Sequence, residues 1–492
     1  MTWTYPLSAR VGQGPELLGG KAHGLLTLRR LDLPVPAGFV VTTEACRAFL
    51  DEGRFPDGAR TEIAAAVTAL EAETGRRFGD PHDPLTVSVR SGAAVSMPGM
   101  MTTILNLGLP TTDPGGEEGR LEGLYRAISE VFSSWDTPRA RTYRAVHGVP
   151  HDLGTAVTVQ AMVLGDRDAR SGSGVAFTHD PNTGEHVPFG EVLFGSQGDA
   201  VVSGTALTSP LRDLAHREPT VWADLVAALD SVAEHHRDAC YVEFTYESGR
   251  LWMLQLRPAR LVGAAAVRVA VDLAEAGVLS RAAALLRVSP QHLRHARTAR
   301  AVLPDGRPPL ARGLGACPGV AVGRVVTSAD RAVSMAARGP VVLFRPETSP
   351  SDMRGLAASA GIVTARGGPA SHAAVVARSM GTPAVVGVGQ LTVGSDGIRV
   401  GDRPVPEGVL VTVDGTGGEL VLGRTRVSSG EGSPQLGRLL EWADEVAGSP
   451  GEGSCPGTPR DADTEEARLH AAHTALRGQG RAPTRVRRHP GR

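Results

Sequence analysis

The chain has 492 residues, and its hydrophobic content of 41% with 21% charged residues is typical of a soluble globular protein. That length accommodates about three domains, each able to bury its own core. The net charge of −1 gives no reason to expect binding to nucleic acid or to a membrane surface, and no apolar run could span a bilayer. There is no signal-peptide pattern and the four cysteines are far apart, so we expect reduced thiols in a cytoplasmic protein.

The first predicted element is a helix that begins within Leu-Leu-Gly-Gly-Lys-Ala-His-Gly, residues 17–24. Gly19 and Gly20 open a loop at the helix start, where Lys21 can meet a phosphate group as a point charge. Lys21 is also the only lysine among 51 basic residues, which indicates that this position requires a compact ammonium group. A lysine that survives by chance is the alternative.

The sequence predicts a strand at residues 86–90, with Arg90 as its last residue. A loop of small residues follows, with Gly92 and Gly99 as its flexible points. A guanidinium group beside a mobile lid is suited to hold a triphosphate. The alternative is an ordinary strand and turn, with the nearby methionines packed in the core.

Strands are also predicted at 155–163, 174–177 and 190–194, and a hairpin at 240–257. With a three-residue loop at 247–249, the alternation predicts a polar face of Tyr241, Glu243, Met253, Gln255 and Arg257. The opposite face would then be the core face, made of Val242, Phe244, Trp252, Leu254 and Leu256. This pattern suits the floor of a nucleotide cleft, and a surface hairpin with one solvated face is the alternative.

Residues 262–297 have helical spacing, and residues 313–424 alternate strands with short helices. Within the second segment, Arg-Gly-Gly-Pro-Ala-Ser-His at 366–372 lies between a predicted strand at 361–364 and a predicted helix at 373–380. Gly367 and Gly368 allow close backbone approach to a ligand, and Ser371 is a suitable N-cap for the helix. His372 would then lie in the first turn, where a phosphoryl group on its imidazole is favoured. An ordinary histidine at a helix start is the alternative.

The stretch 366–387 resembles the phosphohistidine motif of the phosphoenolpyruvate-utilising enzymes, and it is most similar to the pyruvate phosphate dikinase family. His372 matches the phosphorylated histidine of that motif. The segments around Lys21, Arg90 and the 240–257 hairpin resemble the nucleotide-binding domain of the same family, and the resemblance covers nearly all of 14–424.

The resemblance implies a multidomain protein of mixed α/β and α+β class. We expect an ATP-grasp domain at 1–260, a helical linker at 261–310, a swivelling β/β/α phosphohistidine domain at 311–424 and a low-complexity, disordered tail at 425–492. Two helices are nevertheless expected within the tail, at 436–446 and 464–476. The tail ends in a basic stretch, which we interpret as a solvated segment: Arg481, Arg485, Arg487, Arg488 and Arg492.

The resemblance also implies that Mg²⁺-ATP phosphorylates His372, with AMP leaving and inorganic phosphate taking the terminal phosphoryl group as pyrophosphate. The family's ATP-binding positions fall on Lys21, Arg90, Glu243, Gln255 and Arg257, and the metal would be held by Glu243 and Gln255.

Three departures from the family pattern accompany these expectations. Tyr241 stands where the family has a metal-holding aspartate, a helical insertion near 110–122 is absent, and Ala370 replaces a threonine that is phosphorylated in regulated dikinases. An acceptor barrel requires about 250 residues, so we expect pyruvate or another acceptor to be held by a separate barrel protein. The alternatives are a small-molecule phosphotransferase similar to the rifampicin enzymes and a non-catalytic nucleotide sensor. A homodimer is left open.

Overall fold

The computed structural model describes residues 2–95, 97, 100–109, 116–198, 208–259, 261–297, 299–303, 308–428, 432–448 and 462–479. The predicted lid glycine, Gly99, and the basic residues at 481–492 lie outside these ranges. The architecture is a mixed α/β multidomain one, as predicted. None of the helices in the described ranges combines the length and the apolar character that a membrane crossing requires.

The N-terminal part begins with a five-stranded antiparallel sheet in the order β1-β2-β5-β3-β4. Its strands are β1 (Thr4–Pro6), β2 (Gly38–Val41), β3 (Val87–Gly92), β4 (Thr103–Leu107) and β5 (Ala156–Ala161). The helices of this part are α1 (Pro15–Arg30), α2 (Thr43–Glu52), α3 (Ala59–Thr74), α4 (Gly116–Ser134) and α5 (Pro138–His147). Apolar side chains from α2, α3 and α4 share one core with the sheet, which holds β3 and β5 in place.

A second antiparallel sheet has the order β10-β9-β6-β7-β8. Its strands are β6 (Gly172–Phe177), β7 (Phe189–Phe194), β8 (Ser209–Pro210), β9 (Cys240–Glu247) and β10 (Arg250–Pro258). A 3₁₀ turn at Leu211–Asp213 leads into α6 (Leu214–Arg217) and α7 (Pro219–His236). Helices α1 and α7 cover one face of this sheet with a shared apolar core, which leaves the opposite face for the site.

The β9–β10 hairpin differs from the prediction in its turn. Glu247 pairs with Arg250, so the loop has two residues, and both take positive φ values: 51° at Ser248 and 79° at Gly249. Two-residue turns of this kind match the twist of paired strands. The shorter loop moves the register by one residue, so Met253 is in the core and the predicted core position of Trp252 is wrong.

A β-bulge between Met253 and Gln255 then reverses this shift. Beyond the bulge, Gln255 pairs with Glu243 and Arg257 pairs with Tyr241. The predicted common face of Glu243, Gln255 and Arg257 is therefore confirmed, although the register that led to it was incorrect.

The linker forms α8 (Gly263–Glu275), α9 (Arg281–Arg287) and α10 (Pro290–Arg294). Two further helices, α14 (Pro434–Ala447) and α15 (Ala462–Gln479), pack against them in one apolar core that buries Leu436, Trp442 and Leu469. The two helices expected within the tail are thus confirmed, and the expectation of disorder does not hold for them, because their apolar faces pack against α8, α9 and α10. The Arg297–Glu465 ion pair, at 2.6 Å, also joins α15 to the end of the linker.

The third part contains an eight-stranded sheet in the order β12-β22-β21-β14-β15-β16-β17-β13. Its strands are β12 (Ala311–Arg312), β13 (Leu314–Cys317), β14 (Val320–Val326), β15 (Val341–Arg345), β16 (Gly361–Thr364), β17 (Ala384–Val386), β21 (Leu410–Asp414) and β22 (Glu419–Leu422). Strands β14 to β17 run parallel, as expected for β-strands alternating with helices.

Shorter elements complete this part. A three-stranded sheet consists of β18 (Leu391–Val393), β19 (Gly397–Val400) and β20 (Arg403–Pro406), and β11 (Arg300–Val302) pairs with β23 (Arg426–Ser428). The helices are α11 (Ala329–Ala336), α12 (Met353–Ala358) and α13 (His372–Met380), with a 3₁₀ turn at Pro350–Asp352. The predicted strand and helix around the histidine loop, residues 366–371, are thus confirmed.

Candidate functional site

Lys21 is positioned by a break in α1. Gly19 has φ 75° and ψ 156°, and the backbone N–H of Gly20 donates to the carbonyl of Ala93 at 3.0 Å. A Cβ at Gly19 would lie 1.4 Å from the carbonyl oxygen of Gly92, so only glycine allows this approach. At Gly92 a Cβ would lie 3.2 Å from the Cβ of Lys21. The glycines thus pack the start of the lysine-bearing helix against the end of β3.

Arg90 lies between the two sheets of the N-terminal part. Its Nη2 donates to the side chain of Gln160 and, at 3.2 Å, to the carbonyl of Leu254. Leu254 is the residue at the β10 bulge, where the regular ladder is interrupted. The same bulge therefore restores the polar face of β10 and provides an acceptor for Arg90. The Nε of Arg90 is buried and has no hydrogen-bond partner within the described residues.

The cleft between these elements is cationic. Burial, with the charges of Arg90 and Arg257, lowers the pKa of Lys21 from 10.5 to about 7, while Glu243 acts in the opposite direction. Burial also lowers the pKa of Arg90. In the described part of the chain, the basic groups of Lys21, Arg90 and Arg257 therefore lie near the carboxylate of Glu243, and a polyphosphate would supply further negative charge and favour the charged form of Lys21.

Tyr241 lies among these groups with only 2% of its surface exposed. Its hydroxyl donates to Oε1 of Glu243 at 3.4 Å, and the guanidinium carbon of Arg257 lies 4.1 Å from its ring centroid. Burial raises the pKa of this phenol, so it is neutral and a poor ligand for a hard cation.

The residues present fit one Mg²⁺ ion bound together with a nucleotide. Glu243 and Gln255 are paired across β9 and β10 and offer a carboxylate and an amide oxygen. Mg²⁺ is commonly held by one or two carboxylates together with substrate phosphates. Among the residues that the structure describes, there is no group of three His, Cys, Asp or Glu that could hold a metal ion. The nucleotide would therefore have to complete the coordination.

His372 begins α13 with Ser371 at the N-cap position, as predicted. The Ser371 side chain makes no capping bond, however, and its Oγ is buried without a partner in the described part of the chain. Thr348 Oγ1 lies 3.0 Å from Nδ1 of His372, so this ring nitrogen has a hydrogen-bond partner.

Two charged groups act on the pKa of this imidazole in opposite directions. Burial lowers the pKa of His372, with Asp352 opposing the shift and Arg139 adding to it. Arg139 belongs to α5 of the N-terminal part, and Asp352 receives hydrogen bonds from Ser349 and pairs with Arg345 at 3.3 Å. Thr348, Asp352 and Arg139 are functional candidates that sequence reasoning missed. The motif Ser-Trp-Asp-Thr-Pro-Arg at 134–139 was the one available signal for Arg139.

The histidine loop lies against the second sheet. Glu191, buried on β7, accepts hydrogen bonds from the backbone N–H of Ala370 at 2.9 Å and from the hydroxyl of Thr208 at 2.6 Å. A Cβ at Gly368 would lie 1.9 Å from Oε2 of Glu191, so any larger residue there would displace the carboxylate that holds the loop. Gly367 has φ 94°, which also favours glycine. A second contact runs from Nδ2 of Asn182 to the carbonyl of Gly315, at 3.0 Å.

Two protein-family models match the sequence of this chain. The model described as "Pyruvate phosphate dikinase, AMP/ATP-binding domain" matches residues 15–61 and 52–210, and that described as "PEP-utilising enzyme, mobile domain" matches residues 337–418. The chain belongs to the pyruvate phosphate dikinase family.

Curated dikinases of this family align with most of the chain. The pyruvate, phosphate dikinase of Rhizobium meliloti is 35% identical over 90% of this chain and 60% of its own length. The dikinase of Clostridium symbiosum is 34% identical over 97% of this chain and 64% of its own length, and dikinase 2 of Oryza sativa is 36% identical over 88% and 58%. The chain thus spans about three fifths of the length of these relatives.

Proposed function

We propose that this protein is an ATP-dependent phosphotransferase that forms a phosphohistidine at His372. The observation that carries the proposal is the Glu191–Ala370 hydrogen bond, because it holds the histidine loop on the sheet that bears Glu243, Gln255 and Arg257. The loop that precedes His372 and the basic cleft proposed to bind the nucleotide therefore lie on the same sheet. The lowered pKa of His372 supports a neutral nucleophile near pH 7.

In the proposed reaction Nε2 of His372 attacks the β-phosphorus of ATP. The N–P bond forms, the bond between the β-phosphorus and the α,β-bridging oxygen breaks, and AMP leaves with that oxygen and its electron pair. The Nδ1 proton stays in the bond to Thr348. An oxygen of inorganic phosphate then bonds to the terminal phosphorus, and the bond from that phosphorus to the β,γ-bridging oxygen breaks. Pyrophosphate leaves, and the β-phosphoryl group stays on His372 with the bridging oxygen and its electron pair.

Lys21, Arg90 and Arg257 are proposed to stabilise the charge that develops on the phosphoryl groups, with Gly92, the last residue of β3, and the predicted lid glycine Gly99 leaving space for the nucleotide. Mg²⁺ held by Glu243, Gln255 and the nucleotide would neutralise phosphate charge. The relatives are named for pyruvate and phosphate, so these are the first acceptors to test. Mixing the phosphorylated chain with a separately expressed phosphoenolpyruvate-binding barrel would test an acceptor held by another protein.

The test is intact-protein mass after incubation with Mg-ATP, with and without phosphate, together with an assay for AMP. We expect an acid-labile adduct of one phosphoryl group on His372 and release of AMP, both absent in His372→Ala. His470→Ala, a change at an exposed histidine of α15, is the control and should retain both. Labelling that persists in His372→Ala would contradict the proposal.

A non-catalytic nucleotide sensor is the second candidate, and Tyr241 is the observation that favours it. The phenol is neutral, so position 241 adds no carboxylate to that of Glu243 beside Lys21, Arg90 and Arg257. Binding of ATP with neither an adduct nor AMP would support this second function, and recovery of labelling in Tyr241→Asp would identify the phenol as the cause.

A further inference from the structure

Two rows of side chains cross the face of the second sheet that is opposite to α1 and α7. In one row, Arg257 of β10, Tyr241 of β9, Phe177 of β6 and Phe189 of β7 are registered neighbours. The parallel row consists of Gln255, Glu243, Val175 and Glu191. Directly paired residues project on the same side of a sheet. The nucleotide residues thus lie at the β10 end of both rows, and Glu191, which holds the histidine loop, lies at the β7 end.

The first row is a continuous series of ring contacts. The guanidinium carbon of Arg257 is 4.1 Å from the Tyr241 ring centroid, and the rings of Tyr241 and Phe177 meet edge to face at 5.0 Å. On the other side, the guanidinium carbon of Arg378 is 5.7 Å from the Phe177 centroid. Two aromatic rings therefore separate an arginine of the nucleotide cleft from an arginine of α13, the helix that begins at His372.

Arg378 in turn holds the histidine loop. Its Nη2 donates to the carbonyl of Pro369 at 2.6 Å, and its Nη1 donates to the carbonyl of Ala316 at 3.1 Å. Ala370, the next residue of the loop, shares a small buried apolar cluster with Tyr241, Phe177, Val175 and Leu193. The loop thus rests on the same aromatic pair that supports Arg257.

We propose that Tyr241 is a positioning residue that couples nucleotide binding at Arg257 to docking of the histidine loop. The proposal rests on the proposed function, because it concerns the approach of His372 to the nucleotide. A polyphosphate that fixes Arg257 over Tyr241 also fixes the edge-to-face contact with Phe177, on which Arg378 and Ala370 rest. By linkage, a docked loop strengthens nucleotide binding by the same factor.

This role requires an aromatic ring at position 241 and not its hydroxyl. The ring supplies the face for Arg257 and the edge for Phe177, whereas the hydroxyl bonds to Glu243 and to the Arg257 side chain, neither of which belongs to the histidine loop. Tyr241→Phe should keep the coupling, and Tyr241→Leu should remove it. A suitable control is present on the same hairpin, where the guanidinium carbon of Arg250 stacks on the Trp252 ring at 4.3 Å. Trp252→Leu removes a comparable stack that does not contact the loop.

The experiment measures amide hydrogen exchange of residues 367–371 with and without α,β-methylene-ATP, an analogue whose α–β bridge cannot be cleaved. In the unmodified protein, in Tyr241→Phe and in Trp252→Leu, the analogue should slow exchange of these amides on the order of tenfold. In Tyr241→Leu the slowing should disappear, while calorimetry still detects binding of the analogue. Phe177→Leu breaks the series at its second ring and should reproduce the loss, which covers the case in which Tyr241→Leu fails to fold.

Slowing that persists in Tyr241→Leu or Phe177→Leu would overturn the coupling, as would a wild-type protein that binds the analogue without any slowing. Failure of the proposed function is a separate result. Absence of phosphoryl transfer to His372 from Mg-ATP would refute the transfer reaction while leaving the exchange measurement valid.

Discussion

Glu191 and Ala370 are joined by a 2.9 Å hydrogen bond between a carboxylate of the second sheet and a backbone N–H of the histidine loop. The carboxylate is buried, and burial raises its pKa. A buried acceptor that loses its donor remains desolvated, so this bond stabilises the docked loop more than a surface bond would.

We expect Glu191→Leu to slow phosphorylation of His372 by about ten- to a hundredfold, since it removes the acceptor for Ala370 and Thr208. Within the described residues Glu191 makes no hydrogen bond to the nucleotide residues, so nucleotide affinity should change by less than about threefold beyond what the loss of loop docking itself causes. Rapid-quench labelling and calorimetry would measure the two quantities. Glu247→Leu, at the far end of β9, is the matched control. Equal rates for the two variants would contradict a docking role for Glu191.

The pH profile of labelling should report the environment of His372. Its pKa is lowered, so the neutral imidazole persists as the pH falls and the acid limb should lie below about 6.5. Asp352 raises this pKa and Arg139 lowers it. Asp352→Asn should therefore move the acid limb to lower pH and Arg139→Gln should move it to higher pH. Single-turnover rates between pH 5 and 8 would show this, and shifts in the reverse directions would refute the assignment.

Thr348→Val should lower the rate of His372 phosphorylation by about tenfold, because it removes one hydrogen bond that orients the imidazole. Thr348→Ser retains the hydroxyl and should restore most of the rate. Thr392→Val, at an exposed position of β18, serves as the control. A valine variant as fast as the serine variant would show that Nδ1 needs no partner.

Nucleotide binding above pH 7 should be accompanied by proton uptake at Lys21. The pKa of Lys21 is lowered to about 7, so the amine is largely neutral at pH 8, and a bound polyphosphate would raise the pKa and favour the charged form. Calorimetry at pH 8 in buffers of different ionisation enthalpy should detect uptake approaching one proton. Lys21→Arg, with a permanent charge, should bind without that uptake. The same uptake in the arginine variant would assign the proton to another group.

The helix pair α14 and α15 should contribute to stability through Arg297 and Glu465. Glu465 is 1% exposed and pairs with Arg297 at 2.6 Å, so Arg297→Ala leaves a buried carboxylate unpaired. We expect a loss of about 3 kcal/mol in the unfolding free energy of this helical region. Arg281→Ala breaks an exposed pair with Glu445 and should cost less than about 1 kcal/mol. Urea denaturation followed by Trp442 fluorescence would compare them.

Local sequence patterns were sufficient to predict β16 and α13, whereas the common face of Glu243 and Gln255 was predicted from an incorrect register and is present because the bulge compensates for the shorter turn. Elements of this kind depend on residues that are close to one another in the sequence. The contacts of Glu191, Thr348 and Arg139 were not predictable in this way, since each joins segments that only the tertiary fold brings together. The hairpin register was missed because a Glu-Ser-Gly stretch permits turns of either length, and the choice depends on Ser248 taking a positive φ.

The turn and the bulge of the β9–β10 hairpin have a joint consequence. Each shifts the inside–outside alternation of β10 by one residue, and only residues 250–253 lie between the two shifts. A deletion that removes the bulge alone would turn Arg257 toward the core and Leu256 toward the nucleotide. Changes in the length of this hairpin can preserve the site only when they occur in compensating pairs.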